Sequence, residues 1–293
     1  MVTVKAPATS ANLGSGYDVY GMALKKPYDL IKVELSESTD ITVDGYNKEI
    51  PTDPRKNTAG IVARELTDTD LSIHIDKNIP PGSGLGSSAA SAAGTAIAIN
   101  KLVEKEFSQV ELLDAVVSAE KHVSGQAHAD NAAPALFGGF CIVNDEVHKI
   151  KPPEFDLILL CPEKVNLTKE MRSVVPKKTD IKNVKKNIYY SSLLIKGILE
   201  EDLRSFGKGL NDAIVEPKRA KLIDGYKEAK KRAIKEGAIG CTLSGSGPSM
   251  IAVGEKPKKI GKAMKKELDT KEINSKLFLT KPGKGSKIIS STD

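Results

Sequence analysis

A segment rich in glycine and serine, Pro80-Pro81-Gly82-Ser83-Gly84-Leu85-Gly86-Ser87-Ser88-Ala89-Ala90, constrains this 293-residue chain more than any other stretch. Its glycines stand at alternate positions, so the backbone can turn sharply and point successive N–H groups into one concavity. A run of small residues follows and can pack as a tight helix. Unpaired N–H donors and the helix dipole at such a junction both favour an anion. The segment therefore predicts a phosphate-binding loop, the alternative being an ordinary turn before a buried helix.

This loop differs from the common nucleotide-binding loops. A Walker loop ends in Gly-Lys-Ser/Thr, whereas Gly86 is followed by Ser87 without a lysine. The dinucleotide fingerprint requires a third glycine where Ser87 stands, and the His-Arg-Asp segment of protein kinases is absent from the sequence. We therefore expect backbone amides and hydroxyls to bind phosphate, with a metal ion supplying the missing positive charge.

Composition excludes several classes of function. The chain is 40% hydrophobic and 28% charged, which is typical of a soluble globular protein. The net charge of +6 comes with only 4% aromatic residues and no Trp, so a nucleic-acid partner is not expected. No apolar run is long enough to span a membrane, and no signal peptide is evident, which favours a cytoplasmic protein without a membrane partner. The three cysteines lack CxxC spacing and indicate buried thiols in a reducing compartment.

Strands and helices alternate in both halves of the chain, which indicates an α+β protein of two domains. Pro152 and Pro153 interrupt the pattern, so we place the domains at 1–152 and 153–293, with a cleft between them. Periodic patterns predict helices at about 87–103, 109–123, 181–199 and 257–269, and strands at 2–6, 28–35, 71–76 and 275–280, among others. The tail from Pro282 is expected to fray.

Two further segments near the glycine loop concentrate polar groups. Residues 6–18 are expected to form a polar loop between strands, in which Asn12 can donate and accept hydrogen bonds and Asp18 can hold an ammonium group. Residues 120–131 begin with Glu120, an oxygen ligand suited to Mg²⁺, and end with a polar group just before an apolar strand. The alternative in both cases is a structural turn capped by Asn and Asp side chains. A zinc site is not expected, because neither segment has a HExxH or CxxC frame.

The second half offers one more loop and two arginines. Residues 242–249 form a glycine-serine turn that is either a hairpin loop or a cover over a triphosphate. Arg172 and Arg219 are among the few arginines of a chain dominated by lysine. A guanidinium can bind a carboxylate through two parallel hydrogen bonds, but spacing alone does not separate this role from that of a surface residue.

Three motifs in this order, at residues 7–16, 80–90 and 243–249, resemble the GHMP superfamily of small-molecule kinases, which includes galactokinase, homoserine kinase and mevalonate kinase. The resemblance covers nearly the whole chain. The segments 9–18, 128–134 and 216–219 are most similar to its homoserine kinase branch.

The resemblance implies a two-domain fold with the active site in the cleft between the domains. An N-terminal ATP-binding domain with a left-handed β-α-β unit would precede a ferredoxin-like C-terminal domain. The implied reaction transfers the γ-phosphoryl group of Mg-ATP to the side-chain hydroxyl of L-homoserine, a step of threonine biosynthesis. The alternatives are a sister kinase for mevalonate, shikimate or a sugar, and a catalytically silent ligand sensor. A homodimer is left open.

The resemblance also implies roles for individual residues. ATP is expected along Pro81, Gly82, Ser83, Gly84, Leu85, Gly86, Ser87, Ser88, Ala89, Ala90 and Asn57. Mg²⁺ is expected at Ser88 and Glu120, with Ser87 as the neighbouring candidate. The substrate is expected among Asn12, Asp18, His128, Asp130, Arg172 and Arg219, and the catalytic residues are Asn131, Glu120 and Arg172.

One departure from the pattern of mevalonate-kinase-like relatives bears on the mechanism. Those relatives have a lysine in the first motif and an aspartate that can act as a base, whereas this chain lacks that lysine and has Asn131 at the matching position. An amide cannot accept the hydroxyl proton at neutral pH. We therefore hypothesise catalysis by alignment and charge stabilisation, which the loose transition state of phosphoryl transfer tolerates.

Overall fold

The computed structural model describes residues 1–46, 50–103, 105–125, 127, 129–163 and 168–291. Within these ranges the chain forms two β-sheets flanked by helices. None of the described helices is long and apolar enough to cross a membrane.

Six strands from the first half of the chain and the chain's last strand form one sheet of seven described strands. These strands are β1 (Val2–Ala11), β2 (Tyr20–Leu35), β3 (Asp40–Gly45), β4 (Leu71–Lys77), β5 (Phe140–Val143), β6 (Val147–Ile150) and β11 (Lys287–Ser291). The order is β11-β1-β2-β4-β3, and β5 pairs with both β2 and β6. β3 and β4 are parallel and are connected through helix α1 (Thr58–Leu66), which gives a β-α-β unit; its left-handed crossover stays a prediction.

The other helices of this half are α2 (Ser87–Leu102), α3 (Gln109–Ser124) and α4 (Ala129–Phe137). Helix α2 carries mainly alanine, serine and glycine and is buried on almost every side. Small side chains let it lie close to the sheet. A Cβ atom at Gly94 would stand 2.4 Å from Cγ1 of Ile31, so this crossing requires glycine. The result is a glycine loop anchored by a helix that packs directly on β1 and β2.

The second sheet has the topology expected of a ferredoxin-like domain. Its strands are β7 (Leu157–Pro162), β8 (Ala238–Leu243), β9 (Met250–Gly254) and β10 (Ser275–Thr280), in the order β10-β7-β9-β8 with all neighbours antiparallel. The helices are α5 (Thr168–Ser173), α6 (Ile181–Leu199), α7 (Leu203–Gly209), α8 (Glu216–Arg219), α9 (Tyr226–Lys235) and α10 (Pro257–Asp269). The chain order β-α-β-β-α-β confirms the predicted architecture.

The C-terminal segment departs from the prediction. After β10 the chain returns to the first sheet, where β11 pairs with β1 and Pro282 bridges Leu24. The expectation of a fraying tail is therefore wrong for the described part of this segment. The last strand also belongs to the N-terminal sheet, so residues 153–293 do not form one separate structural unit.

A buried ion pair fixes both ends of the glycine loop. Lys77, at the end of β4, pairs with Asp29 of β2 and also donates to the Ser87 carbonyl and, at 2.7 Å, to the Ser91 hydroxyl. Asp29 accepts hydrogen bonds from the backbone N–H groups of residues 78 and 79, where the loop begins. Lys77 is 3% exposed and Asp29 is fully buried. The pair therefore couples the entrance of the loop to the first turn of α2.

Replacing Lys77 by methionine is expected to lower the free energy of unfolding by about 3–5 kcal/mol, because Asp29 keeps a buried charge without its partner. The double variant Asp29→Asn/Lys77→Met should lose less, since neither charge is then buried alone. Urea denaturation measures both. Lys265→Met, which breaks an exposed pair with Asp269, is the control and should change little. Equal losses in the single and double variants would contradict this interpretation.

Candidate functional site

A cleft of about 300 Å³ lies between the two sheets, at the point where the glycine loop meets the second glycine-serine loop. Its walls come from the first motif, the glycine loop, the ends of α1, α3 and α4 that face the loop, and the arginines of α5 and α8. Gly245 and Ser246 close it on the side of the second domain. The segments singled out in the sequence therefore meet in one cavity.

The glycine loop uses backbone conformations that only glycine adopts easily. Gly82, Gly84 and Gly86 have φ angles of 65°, 80° and 61°. A Cβ atom at Gly84 would stand 2.3 Å from the Ser244 carbonyl oxygen, because the two glycine-serine loops pack backbone against backbone. Gly86 is the N-cap of α2 and supplies no side-chain hydrogen bond to the first N–H groups of the helix. Backbone donors therefore remain at the mouth of the loop, as an anion site requires.

Most of the residues predicted to contact the nucleotide line this cleft. They are Pro81, Gly82, Ser83, Gly84, Gly86, Ser87, Ser88 and Asn57. The side chains of Leu85, Ala89 and Ala90 do not, because all three are fully buried in the hydrophobic core. Asn57 caps α1 by accepting from the Ala59 N–H at 2.9 Å, and it donates to the Pro51 carbonyl at 2.7 Å. Its side chain is thus engaged in shaping the wall of the cleft.

Glu120 and Ser88 bring two oxygen donors to the side of the glycine loop. Glu120 lies in the last part of α3 and is 4% exposed. Burial raises the pKa of Glu120 to about 7, against the opposing effects of a hydrogen bond with Ser88 and the charge of Lys77. A nearby cation would favour the ionised carboxylate. A buried carboxylate beside a hydroxyl, next to a phosphate loop, is a donor set that fits Mg²⁺.

The first motif is shorter as a loop than predicted, because β1 extends to Ala11 and its polar residues pair within the sheet. The loop that follows contains left-handed backbone at Asn12, Leu13 and Asp18, with φ angles of 66°, 46° and 54°. Asn12 accepts from the Asp18 N–H and donates to the Gly245 carbonyl, both at 2.9 Å. The strained loop is therefore attached to the second domain.

Charged groups from both domains meet at this loop. Arg172 of α5 binds both carboxylate oxygens of Asp18, at 3.2 and 3.3 Å. Arg219 is 3% exposed and donates to the carbonyls of Met171 and Gly245, at 3.0 and 3.1 Å. Burial is the main reason why the pKa of Arg219 lies below its usual value. This end of the cleft thus presents two guanidinium groups and a carboxylate.

Asp130 and Asn131 lie in the first turn of α4, and not in a loop before a strand as predicted. The Thr9 hydroxyl donates to Oδ1 of Asn131 at 2.7 Å, and Nδ2 of Asn131 donates to Asp130 at 3.3 Å. Asp130 is 4% exposed, and burial together with the charge of Asp18 raises its pKa to about 7. His128, the remaining predicted substrate residue, lies outside the described residues.

Replacing Asp130 by asparagine is expected to stabilise the protein at alkaline pH. Burial raises the pKa of Asp130 to about 7 in the folded state, whereas in an unfolded chain the carboxyl has its ordinary pKa of 3.8, so folding stability falls as pH rises through this window. The variant should therefore gain roughly 2–4 kcal/mol over the wild type at pH 8, and much less at pH 4.5. Urea denaturation at both pH values tests this. A difference that does not change with pH would contradict it.

Sequence reasoning missed Lys77, which also lines the cleft. The sequence contains a pattern that indicates a buried lysine, because Leu71, Ile73, Ile75 and Lys77 occupy the buried face of β4 in strict alternation. A lysine at an apolar position of a strand needs a buried partner, and it stands directly before the glycine loop.

Comparison with known proteins agrees with this geometry. The family model for the N-terminal domain of GHMP kinases matches residues 55–139, and the model for their C-terminal domain matches residues 194–270. The homoserine kinase of Halobacterium salinarum is 42% identical over 289 residues, which cover 98% of this chain and 96% of that protein. The homoserine kinase of Halorubrum lacusprofundi is 41% identical over 292 residues, which cover 99% of each chain.

A solved structure of homoserine kinase from Cytophaga hutchinsonii superposes with a TM-score of 0.91 at 35% identity and covers 98% of this chain and 97% of that one. These matches confirm the expected α+β fold of two sheets with a cleft between them. The chain therefore belongs to the homoserine kinase family of the GHMP kinases.

Proposed function

We propose that this chain is an ATP-dependent kinase that transfers the γ-phosphoryl group of ATP to the side-chain hydroxyl of L-homoserine, giving O-phospho-L-homoserine. One observation carries the proposal: a single cleft has a phosphate loop at one end and, at the other, charged groups that suit an amino acid. The two relatives at 41–42% identity described above, which cover nearly the whole chain, are homoserine kinases. Such an enzyme acts before a step that makes threonine.

The nucleotide end of the cleft suits a triphosphate. Backbone N–H groups between Gly82 and Ser88 would bind the phosphates, and the α1 end near Asn57 would flank the base. Ser88 and Glu120 would hold Mg²⁺. The ion, when bound, offsets the charge that develops on the phosphoryl oxygens. The lysine of a Walker loop is not needed in such a site.

The substrate end suits a zwitterion. A carboxylate of Asp18, near the buried Asp130, would bind the ammonium group, and Arg172 and Arg219 would bind the carboxylate. His128 belongs to the same proposed set. A substrate held at both charges would place its hydroxyl toward Asn131 and the phosphate loop, which fixes the two reacting groups in one geometry.

Asn131 is proposed to orient the substrate hydroxyl without accepting its proton. Its carbonyl oxygen accepts from Thr9 and its amide nitrogen donates to Asp130, so the orientation of the side chain is defined from two sides. One amide hydrogen remains to donate to an oxygen in the cleft. Positioning contributes up to roughly 7–11 kcal/mol to such reactions, and the proton can pass to the transferred phosphate.

The experiment that tests the proposal is an ADP-release assay with homoserine, mevalonate, shikimate and galactose, each with Mg-ATP. We expect turnover with homoserine at least about 100-fold above that with the other three, because only homoserine supplies both charges. Preferred turnover of mevalonate would identify a sister kinase. ATP binding without turnover of any substrate would indicate a ligand sensor.

The proposal includes a cytoplasmic enzyme that acts on a small molecule and not on nucleic acid or a membrane surface. Cys141, Cys161 and Cys241 are all buried and unpaired as disulfides, which suits a reducing compartment.

A further inference from the structure

The Asp18–Arg172 ion pair lies where the proposed function places the two charged ends of the substrate. Both oxygens of Asp18 are held by the guanidinium, and the side chains of Arg172 and Asp18 are 20% and 42% exposed. The substrate carboxylate and ammonium are thus proposed to bind two groups that already bind each other. Any ligand that uses one of them competes with this pair.

The backbone of the first motif holds Asp18 in place. Asp18 has a φ of 54°, and its N–H donates to Asn12 at 2.9 Å. The same loop lies against the segment after α7, where a Cβ atom at Gly14 would stand 2.6 Å from the Asn211 carbonyl oxygen. A loop packed this tightly cannot follow the guanidinium when a ligand draws Arg172 away.

The charges around Asp18 and Arg172 make it unfavourable to separate these two side chains unless a ligand supplies a new charged partner to each of them. Asp18 raises the pKa of the buried Asp130, and Arg172 lowers it, so both groups act on the same carboxyl. Arg172 also donates to the Tyr17 hydroxyl at 3.4 Å, and Arg219 lies 5.3 Å from the Tyr17 ring. A carboxylate ligand without an ammonium group would occupy the guanidinium and leave Asp18 and Asp130 with less compensating positive charge.

We infer that the Asp18–Arg172 pair is a specificity determinant that excludes hydroxy acids lacking an ammonium group, an inference that rests on the proposed function. A zwitterion exchanges one ion pair for two, since its carboxylate takes Arg172 and its ammonium takes Asp18. A hydroxy acid without an ammonium group separates Asp18 from Arg172 and supplies a new partner only to Arg172. Asp18 thus selects by penalising the wrong ligand as well as by binding the right one.

The test compares homoserine with 4-hydroxybutyrate, which keeps its chain, hydroxyl and carboxylate but lacks the ammonium group. In Asp18→Asn we expect kcat/KM for homoserine to fall about 100-fold and kcat/KM for 4-hydroxybutyrate to rise at least about fivefold. The rise distinguishes exclusion from mere recognition, because an Asp18 that only binds ammonium would leave 4-hydroxybutyrate unaffected. Asp18→Gly, which suits the positive φ, should give the same rise.

The control is Asp269→Asn, which removes an exposed carboxylate paired with Lys265 on α10 and should change neither substrate. Unchanged or lower activity toward 4-hydroxybutyrate in both Asp18 variants overturns the inference and leaves the proposed function standing, provided that the wild type phosphorylates homoserine. Absence of homoserine turnover in the wild type overturns the proposed function and the inference with it.

Discussion

Replacing Glu120 by glutamine is expected to lower kcat/KM for the kinase reaction by about 10²–10³-fold, and to weaken the dependence of the rate on Mg²⁺. The carboxylate is buried beside Ser88 and the glycine loop, and the charge that burial disfavours is the charge a metal ion would stabilise. Glutamine keeps the shape and one oxygen but removes that charge. Initial rates of ADP release, measured over a range of Mg²⁺ concentrations, give both quantities.

The matched control for Glu120→Gln lies on the same helix. Asp114→Asn removes a carboxylate from the exposed side of α3, and we expect wild-type rates and wild-type Mg²⁺ dependence. A second check is nucleotide binding without metal, which should be similar in all three proteins because backbone amides supply most of that site. A Glu120→Gln enzyme with an unchanged Mg²⁺ dependence would contradict the assignment of this residue as a metal ligand.

The parts of the fold that sequence reasoning predicted well are those whose signals are local. Helices α6 and α10 and strand β10 have the predicted bounds, because their apolar residues recur at the helical or strand period. The glycine loop and the start of α2 were equally clear, since alternate glycines followed by small residues permit few other structures. The same holds for β4, where strict alternation predicted one buried face.

The elements that were missed depend on partners far away in the chain. Polar Thr9 and Ser10 argued against a strand, yet both are fully buried, because Thr9 bonds Asn131 and Ser10 bonds Ser244. Helix α4 was missed, since residues 120–131 were expected to run into a polar loop, and the proline at position 134 inside the helix is unfavourable to a helical pattern. Strand β11 is exposed along its length and has no apolar face to predict it; its pairing with β1 alone defines it.

The candidate site was predicted as a set of residues but not as a geometry. The sequence suggested Asp18 for an ammonium and Arg172 for a carboxylate, and could not indicate that these two residues, 154 positions apart, form an ion pair. The alternation of β4 places Lys77 on the buried face, but it could not identify the partner Asp29, which lies in another strand. The chemical role that suits a residue can be predicted from the local sequence, whereas the pairing of charged residues depends on the topology of the sheets.

Replacing Asn131 by alanine is expected to lower kcat about 10²–10³-fold with a smaller change in the KM for ATP, because the amide orients the hydroxyl and does not bind the nucleotide phosphates. Asn131→Asp should not restore the rate. Its carboxylate would face Asp130, which now accepts a hydrogen bond from the Asn131 amide at 3.3 Å, and two adjacent carboxylates oppose each other's ionisation. Rates from pH 6 to 9 measure both variants, with Asn183→Ala on the outer part of α6 as the control.

Two results, one from that experiment and one from the pH profile of Asp130→Asn, would contradict a mechanism that has no general base. If Asn131→Asp raised kcat strongly across neutral pH, a carboxylate at this position would be a better catalyst than an amide, and proton transfer to a base would limit the rate. If Asp130→Asn abolished turnover and removed an acid limb near pH 7 from the wild-type profile, Asp130 would be the proton acceptor, since its pKa of about 7 suits that role. Alignment alone predicts neither result, because the hydroxyl proton then leaves with the phosphate and Asp130 does not have to accept it.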